Sequence, residues 1–210
     1  MEHLVIIGAG GMGREVYHLA TECSGYGTQF DIKGFLDDNP NALRGFEFPY
    51  PPILSSIKDY QVDSDDAFVC SIGDVQTKVK LVELIESQGG SFISLIHPDV
   101  QINKTAKLGS GLLVFHDVHI GAEAVIGNHV MLQSYAAIGH DAEIGDYCRI
   151  DPKVSVIGGV KVGDRVTLHT MSVLNHKVTV GDDAVIGALS FVIRKVKSGI
   201  TVFGIPAKEI

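Results

Sequence analysis

Residues 139–141 read Gly-His-Asp at one turn of a long aliphatic repeat. A neutral imidazole can take a proton from an attacking amine or hydroxyl near neutral pH, and an adjacent carboxylate favours the imidazolium that forms. His140 and Asp141 are therefore candidates for a general base and its partner acid. Gly158–Gly159 follow eighteen residues later, and bare backbone there offers N–H donors to a developing oxyanion. A third stretch, GAGGMG over residues 8–13, has GxGxxG spacing after an apolar segment. Such a turn presents backbone N–H groups and a helix N-terminus to phosphate. Asp37 and Asp38 close the next apolar segment, about where a ribose-binding acid stands in a dinucleotide fold.

Two kinds of scaffold must hold these groups. Residues 1–96 alternate strands with helices. The expected strands are 4–8, 30–38, 67–73 and 91–96, and the expected helices 11–23 and 75–87. That order implies a small parallel sheet with helices on its faces. The Pro-rich 48–53 stretch reads as a loop or edge feature, and His97–Val100 as the junction.

From residue 100 the pattern is different. Stepping by six from Ile102 to Val192 meets sixteen aliphatic residues in succession, with a small or aliphatic residue two places before each. This is the hexapeptide signature of a parallel β-helix whose coil is three hexads, or about 18 residues. The residues two places after each aliphatic position then form three corner columns. One is polar and acidic (Ser110, Asn128, Asp146, Asp164, Asp182) and reads as a solvated corner. A second is small (His116, Ser134, Pro152, Thr170, Ala188). The third runs Lys104, Ala122, His140, Gly158, His176, Arg194. Coils are spaced like paired strands, roughly 4.8 Å, so Gly158 is expected to lie directly over His140.

The chain has 210 residues, 45% hydrophobic and 20% charged, with a formal net charge of −8. That is a globular composition, and its acidity argues against nucleic-acid binding or an anionic membrane surface. The three cysteines lack CxxC spacing and suit a reducing compartment. The N-terminal apolar run is too short for a leader or a membrane span, so the expected location is the cytoplasm.

With "IIGAGGMGREV", "GFLDD", "CSIGD", the uninterrupted hexads carrying "IGHDAEIGD", and the closing "VFGIPAKEI", the chain resembles the bacterial sugar acyltransferases. The likeness is to the sialic-acid O-acetyltransferases and the nucleotide-amino-sugar N-acetyltransferases of the bacillosamine and perosamine type. The resemblance implies an α/β Rossmann-like domain over 1–96 that binds a nucleotide sugar, followed by a left-handed parallel β-helix acetyltransferase domain over 97–210. It implies acetyl-CoA as cosubstrate, no metal, direct transfer with His140 as base beside Asp141, and a homotrimer with sites between subunits. Gly158, Thr170, Ala188, Arg149 and Lys208 then fall to acetyl-CoA, and Gly10, Gly11, Met12, Asp37, Asp38 and Gly73 to the sugar nucleotide. The basic 194–199 segment falls near the CoA phosphates. Two positions depart from the family pattern. Arg149 stands where bacillosamine-type members carry a second histidine, and Met12 where relatives often have histidine.

Rival readings remain at the level of residues. The glycine turn also suits an NAD module, although about 95 residues fall short of two mononucleotide halves. His116, His119, His129, His169 and His176 invite the zinc site of a β-helix carbonic anhydrase; most read better as turn or interface residues. A non-catalytic β-helix binding protein is the third rival. The sequence leaves N- and O-acetyl transfer, the sugar and the nucleotide open.

Overall fold

The computed structural model describes residues 1–210, which divide into two compact units, Met1–Leu95 and Ile96–Ile210. The first unit is a parallel five-stranded sheet with two helices. Its elements are β1 (Glu2–Ile7), α1 (Gly11–Glu22), β2 (Phe30–Leu36), β3 (Ile53–Ser55), β4 (Asp66–Cys70), α2 (Val75–Ser87) and β5 (Ser91–Phe92). The strand order is β3-β2-β1-β4-β5. β1 is central, and its Leu4–Ile7 run is fully buried, as expected of a parallel strand covered on both faces. The chain moves outward from β1 to β3, then returns to the other side of β1 as β4. That reversal opens a crevice beyond the carboxyl ends of β1 and β4.

One expectation is sharpened here and one changes. The Pro-rich loop delivers the edge strand β3, where Phe35 N–H bonds to Pro52 O at 2.9 Å; proline is tolerated because an edge strand leaves one side unpaired. The single strand expected over 91–96 is two. Ile93 N–H is the last donor to β4, through Phe68 O at 3.1 Å, and Leu95–Ile96 opens the first coil of the second unit.

The second unit is a parallel β-solenoid. Each of the sixteen aliphatic positions from Ile102 to Val192 ends a two-residue strand. The strands stack into three faces. Face one runs from Gln101–Ile102 to Phe191–Val192, face two from Lys107–Leu108 to Thr179–Val180, and face three from Leu95–Ile96 through Val185–Ile186 to the closing hairpin. Successive coils pair at an offset of eighteen, such as Ala137 with Ser155 and Ile138 with Val156. The aliphatic ladders form one continuous core, most of it fully buried, and each such side chain contributes about 1.5–3 kcal/mol of burial. The final coil is shorter: Val180 pairs with Val196 and Ile186 with Val202, an offset of sixteen.

The fourteen successive corners from Gly111 to Leu189 each turn on a residue of positive φ. Twelve are not glycine, with φ from 54° to 64°, a conformation costing about 1–2 kcal/mol per residue. Hydrogen bonds between coils offset it, as when Asp141 N–H donates to Ala122 O at 2.9 Å. The acidic corner is more than a solvated edge. Asn128 N–H donates to Asp146 Oδ1 at 2.6 Å, Asp146 N–H to Asp164 Oδ1 at 2.9 Å, and Asp164 N–H to Asp182 Oδ1 at 3.0 Å. Each side chain satisfies a backbone donor of the coil below it.

Candidate functional site

His140 stands at the corner after face one. Its Nδ1 lies 2.6 Å from Asp141 Oδ2, and both side chains are about two-thirds exposed. Asp141 is the positive-φ corner residue (φ 57°), a conformation aspartate tolerates better than most residues. With Nδ1 held by the carboxylate, Nε2 faces the next coil. A Cβ on Gly158 would stand 2.5 Å from His140 Nε2 and 2.7 Å from Cε1, so the imidazole occupies the space that a side chain would fill. Gly159 has φ 72° and donates its N–H to His140 O at 2.8 Å. No acceptor in the chain takes the Gly158 N–H. Beyond the glycines stands His176, its ring centroid 6.5 Å from that of His140.

A second His–Asp pair has the same local geometry. His116 Nδ1 lies 2.9 Å from Asp117 Oδ2. One coil above it is Ser134–Tyr135, and the Tyr135 ring packs edge-on against His116 with centroids 5.3 Å apart. The space that is open above His140 is filled above His116. The sequence signal was available, since residues 116 and 134 differ by eighteen.

The other residues assigned to acetyl-CoA lie elsewhere on the solenoid. Thr170 and Ala188 belong to the corner after face three, so a single chain does not bring them to His140. Arg149 points outward from face three and is held by Asp151, Nε to Oδ1 at 2.6 Å and Nη2 to Oδ2 at 3.3 Å. Asp151 is buried and also accepts from Gln133 Nε2 at 2.8 Å, with His169 Nδ1 at 2.9 Å. The sequence reading missed this carboxylate, which follows the core position Ile150 and carries no motif. Lys208 lies in the closing hairpin beside a cavity of about 300 Å³ that Arg194, Lys195 and Lys197 also line.

In the first unit the glycine turn sits at the sheet crevice. Gly8 has φ 95°, and a Cβ on Gly13 would collide with Gly8 O, so these two glycines are structural requirements. Gly10 caps α1 without a side-chain bond, which leaves the Gly11 and Met12 N–H groups facing outward. Asp37 fastens this turn: Oδ2 accepts from Ala9 N–H at 2.7 Å and Oδ1 from Asn39 N–H at 2.8 Å. Asp38 Oδ1 accepts from Ile57 N–H at 3.2 Å. Both carboxylates therefore shape the turn before they meet any ligand. Gly73 follows β4 on the other side of the crevice, ahead of Asp74, which caps α2.

Comparison with known proteins converges with this architecture. The PglD N-terminal domain matches residues 3–85, and the bacterial transferase hexapeptide (six repeats) matches residues 123–158 and 141–176. The chain is an acyltransferase, similar to the hexapeptide-repeat sugar acetyltransferases. Solved structures similar to this acyltransferase include a histidine-to-asparagine variant of perosamine N-acetyltransferase from Caulobacter crescentus in complex with CoA and GDP-perosamine. It is 25% identical, with a TM-score of 0.89 over 100% of this chain and 97% of that one. The acetyltransferase domain of PglB from Neisseria gonorrhoeae FA1090, in complex with acetyl coenzyme A, is 25% identical with a TM-score of 0.89 over 100% and 99%. WeeI from Acinetobacter baumannii AYE is 25% identical with a TM-score of 0.88 over 100% of both chains. No curated protein matches the acyltransferase significantly. No helix in it is long and apolar enough to cross a membrane.

Proposed function

We propose that the protein transfers the acetyl group of acetyl-CoA to the amine of a nucleotide-linked amino sugar, with His140 as general base. The observation that carries this reading is the bare Gly158 against the Nε2 face of His140. His140 Nε2 takes the proton of the attacking amine, and Asp141 holds the ring by Nδ1. In this reading the Gly158 N–H donates to the oxygen that becomes negative on the acyl carbon. The solved relatives in complex with CoA or acetyl coenzyme A, and with GDP-perosamine, support both substrate classes.

The first unit supplies the sugar-nucleotide site. Gly10, Gly11 and Met12 offer α1 N–H groups to a phosphate, with Asp37, Asp38 and Gly73 completing the rim. Met12 brings no hydrogen-bond donor in its side chain, so the contact there is apolar. Lys208 and the 194–199 segment meet the CoA phosphates. Arg149, held by Asp151, is a further group that this reading assigns to acetyl-CoA.

Thr170 and Ala188 reach His140 when copies of the chain associate. Face one carries Ala137, Ser155, Val173 and Phe191, and its flanks leave Ile157, Met171, Leu189 and Ile193 between 38% and 61% exposed. Face two instead carries charges, including the Lys161–Glu143 pair at 2.8 Å. Burying face one in a homotrimer sets the His140 corner of one copy against the Thr170 corner of the next, and the protein is expected to be a trimer by light scattering.

The decisive experiment is CoA-thiol release from acetyl-CoA with GDP-, UDP- and dTDP-linked 4-amino sugars and with free sialic acids. Turnover with an amino sugar is expected. Turnover with sialic acid alone would move the reaction to O-acetylation, and release with none would defeat the reading. His140→Ala is expected to lower turnover about 100-fold or more while acetyl-CoA still binds by calorimetry.

A further inference from the structure

We infer that His176 is a further catalytic residue, whose ring N–H donates a hydrogen bond to the sulfur as the acyl carbon–sulfur bond of acetyl-CoA breaks. This rests on the acetyl-transfer reading above. His140 and His176 stand in one corner column with Gly158 between them. Two coils separate their backbones, roughly 10 Å at the spacing of paired strands, yet the ring centroids are only 6.5 Å apart. The rings lean toward each other over a floor without side chains. A Cβ on Gly158 would meet only the His140 ring among its nearest neighbours. One on Gly159 would stand 3.1 Å from Lys177 Cγ and 3.9 Å from His176 Cε1. The order along the column is therefore His140, the glycine pair, His176. The His140 ring already has a carboxylate on Nδ1, whereas neither ring nitrogen of His176 has a partner in the chain.

The slot assigns one neighbour to each reacting atom. The acceptor amine approaches His140, and the acyl oxygen lies at the Gly158 N–H. The remaining direction along the column leads to His176, which places the sulfur there. The step balances as follows. The amine lone pair forms the new carbon–nitrogen bond, and the carbonyl π pair moves to oxygen. His140 Nε2 takes the amine proton. The oxygen pair then re-forms the carbonyl, and the carbon–sulfur pair leaves on sulfur as a thiolate that the His176 N–H stabilises. The thiolate takes its proton from the His140 imidazolium or from water. The other His–Asp pair has no counterpart, because the column above His116 continues Ser134, Pro152. Charged groups beside the slot are Asp141 and Lys177, both kept in the variants below.

The test compares the full-length wild type with H176F, H176Q and H140A. H176F removes the donor and keeps a ring; H176Q restores an N–H. With an amino-sugar nucleotide that the wild type accepts, H176F is expected to lower kcat about 10- to 100-fold, the worth of one hydrogen bond to a charged group. Its calorimetric Kd for acetyl-CoA is expected to stay within about threefold, since the interaction strengthens only as charge develops. H176Q is expected to recover part of the loss. A second arm needs no acceptor: the thiol of bound CoA, followed by thiolate ultraviolet absorbance, titrates about one unit higher in H176F than in wild type.

Turnover of H176F within about twofold of wild type, with H140A inactive, overturns the role of His176 and leaves acetyl transfer standing. A change confined to acetyl-CoA affinity overturns it as well. H140A turning over like wild type defeats the underlying reading of the slot. Should no acceptor be turned over, equal titration of bound CoA in H176F and wild type overturns the inference.

Discussion

The His140 imidazole lies against the α-carbon of Gly158, one coil above it, so that a single added methyl group would stand 2.5 Å from Nε2. This relationship separates His140 from His116, which has the same aspartate beside it but Tyr135 packed over its ring. A His–Asp pair recurs on this scaffold. What distinguishes one copy is the open backbone above it.

Gly158→Ala follows directly. The new methyl displaces the ring, which is exposed and free to swing outward, so the cost falls on activity more than on folding. Turnover is expected to drop about tenfold or more, with a change in Tm of a few degrees at most. Full activity in Gly158→Ala would show that ring placement over the glycine is irrelevant.

The acidic corner should tolerate loss of charge but not loss of its oxygen. In Asp146→Asn, Oδ1 still accepts from the Asn128 N–H, as Asn128 already does for Ser110 at 3.0 Å. Asp146→Ala leaves that donor unpaired and is expected to cost about 1 kcal/mol in denaturant unfolding, against less than about 0.5 for Asp146→Asn. Equal losses would show that charge, rather than the acceptor, matters.

Asp151 is expected to be among the costliest polar positions on the solenoid. Its buried carboxylate serves Arg149, His169 and Gln133 together, and Asp151→Ala strands a guanidinium. A loss of about 3 kcal/mol is expected, measured by chemical denaturation, and Asp151→Asn should recover part of it. A loss below about 1 kcal/mol would mean that water replaces the carboxylate.

The first unit carries an acid-sensitive group. Burial alone would raise the Asp66 carboxyl. Lys33 Nζ at 2.7 Å, the Asp63 N–H at 2.9 Å and the Tyr60 hydroxyl at 2.8 Å outweigh burial and hold it below its ordinary 3.8. A carboxylate lowered in the folded state contributes stability that is present above 3.8 and lost as pH falls through the lowered value. The Tm of the wild type should therefore fall on acidification below about pH 4, and Lys33→Met should flatten that limb. An unchanged limb in Lys33→Met would assign the acid sensitivity to other groups.

Much of the solenoid was legible because its rules are local and periodic. One aliphatic residue in six fixes the inward direction, and three hexads close a coil, so arithmetic alone put Gly158 over His140. The two-residue shortening of the last coil lay beyond that arithmetic, since the 194–199 segment breaks the period only after Val192. In the first unit, Pro51 and Pro52 marked an edge, but whether Ile53–Ser55 paired with β2 depended on a neighbour distant in sequence.

The sequence by itself determined the α/β and solenoid halves, the register of the coils, and the corner column in which Gly158 follows His140. Those follow from side-chain periodicity, which is a property of the chain. The tertiary structure decided which polar residues were already engaged. Asp37 holds the glycine turn, Asp151 holds Arg149, the Asn–Asp column carries the backbone of its own corner, and Tyr135 closes the space over His116. Each of these depends on which atoms end within about 3 Å or a ring's breadth of one another across coils or strands, and no local pattern carries that distance.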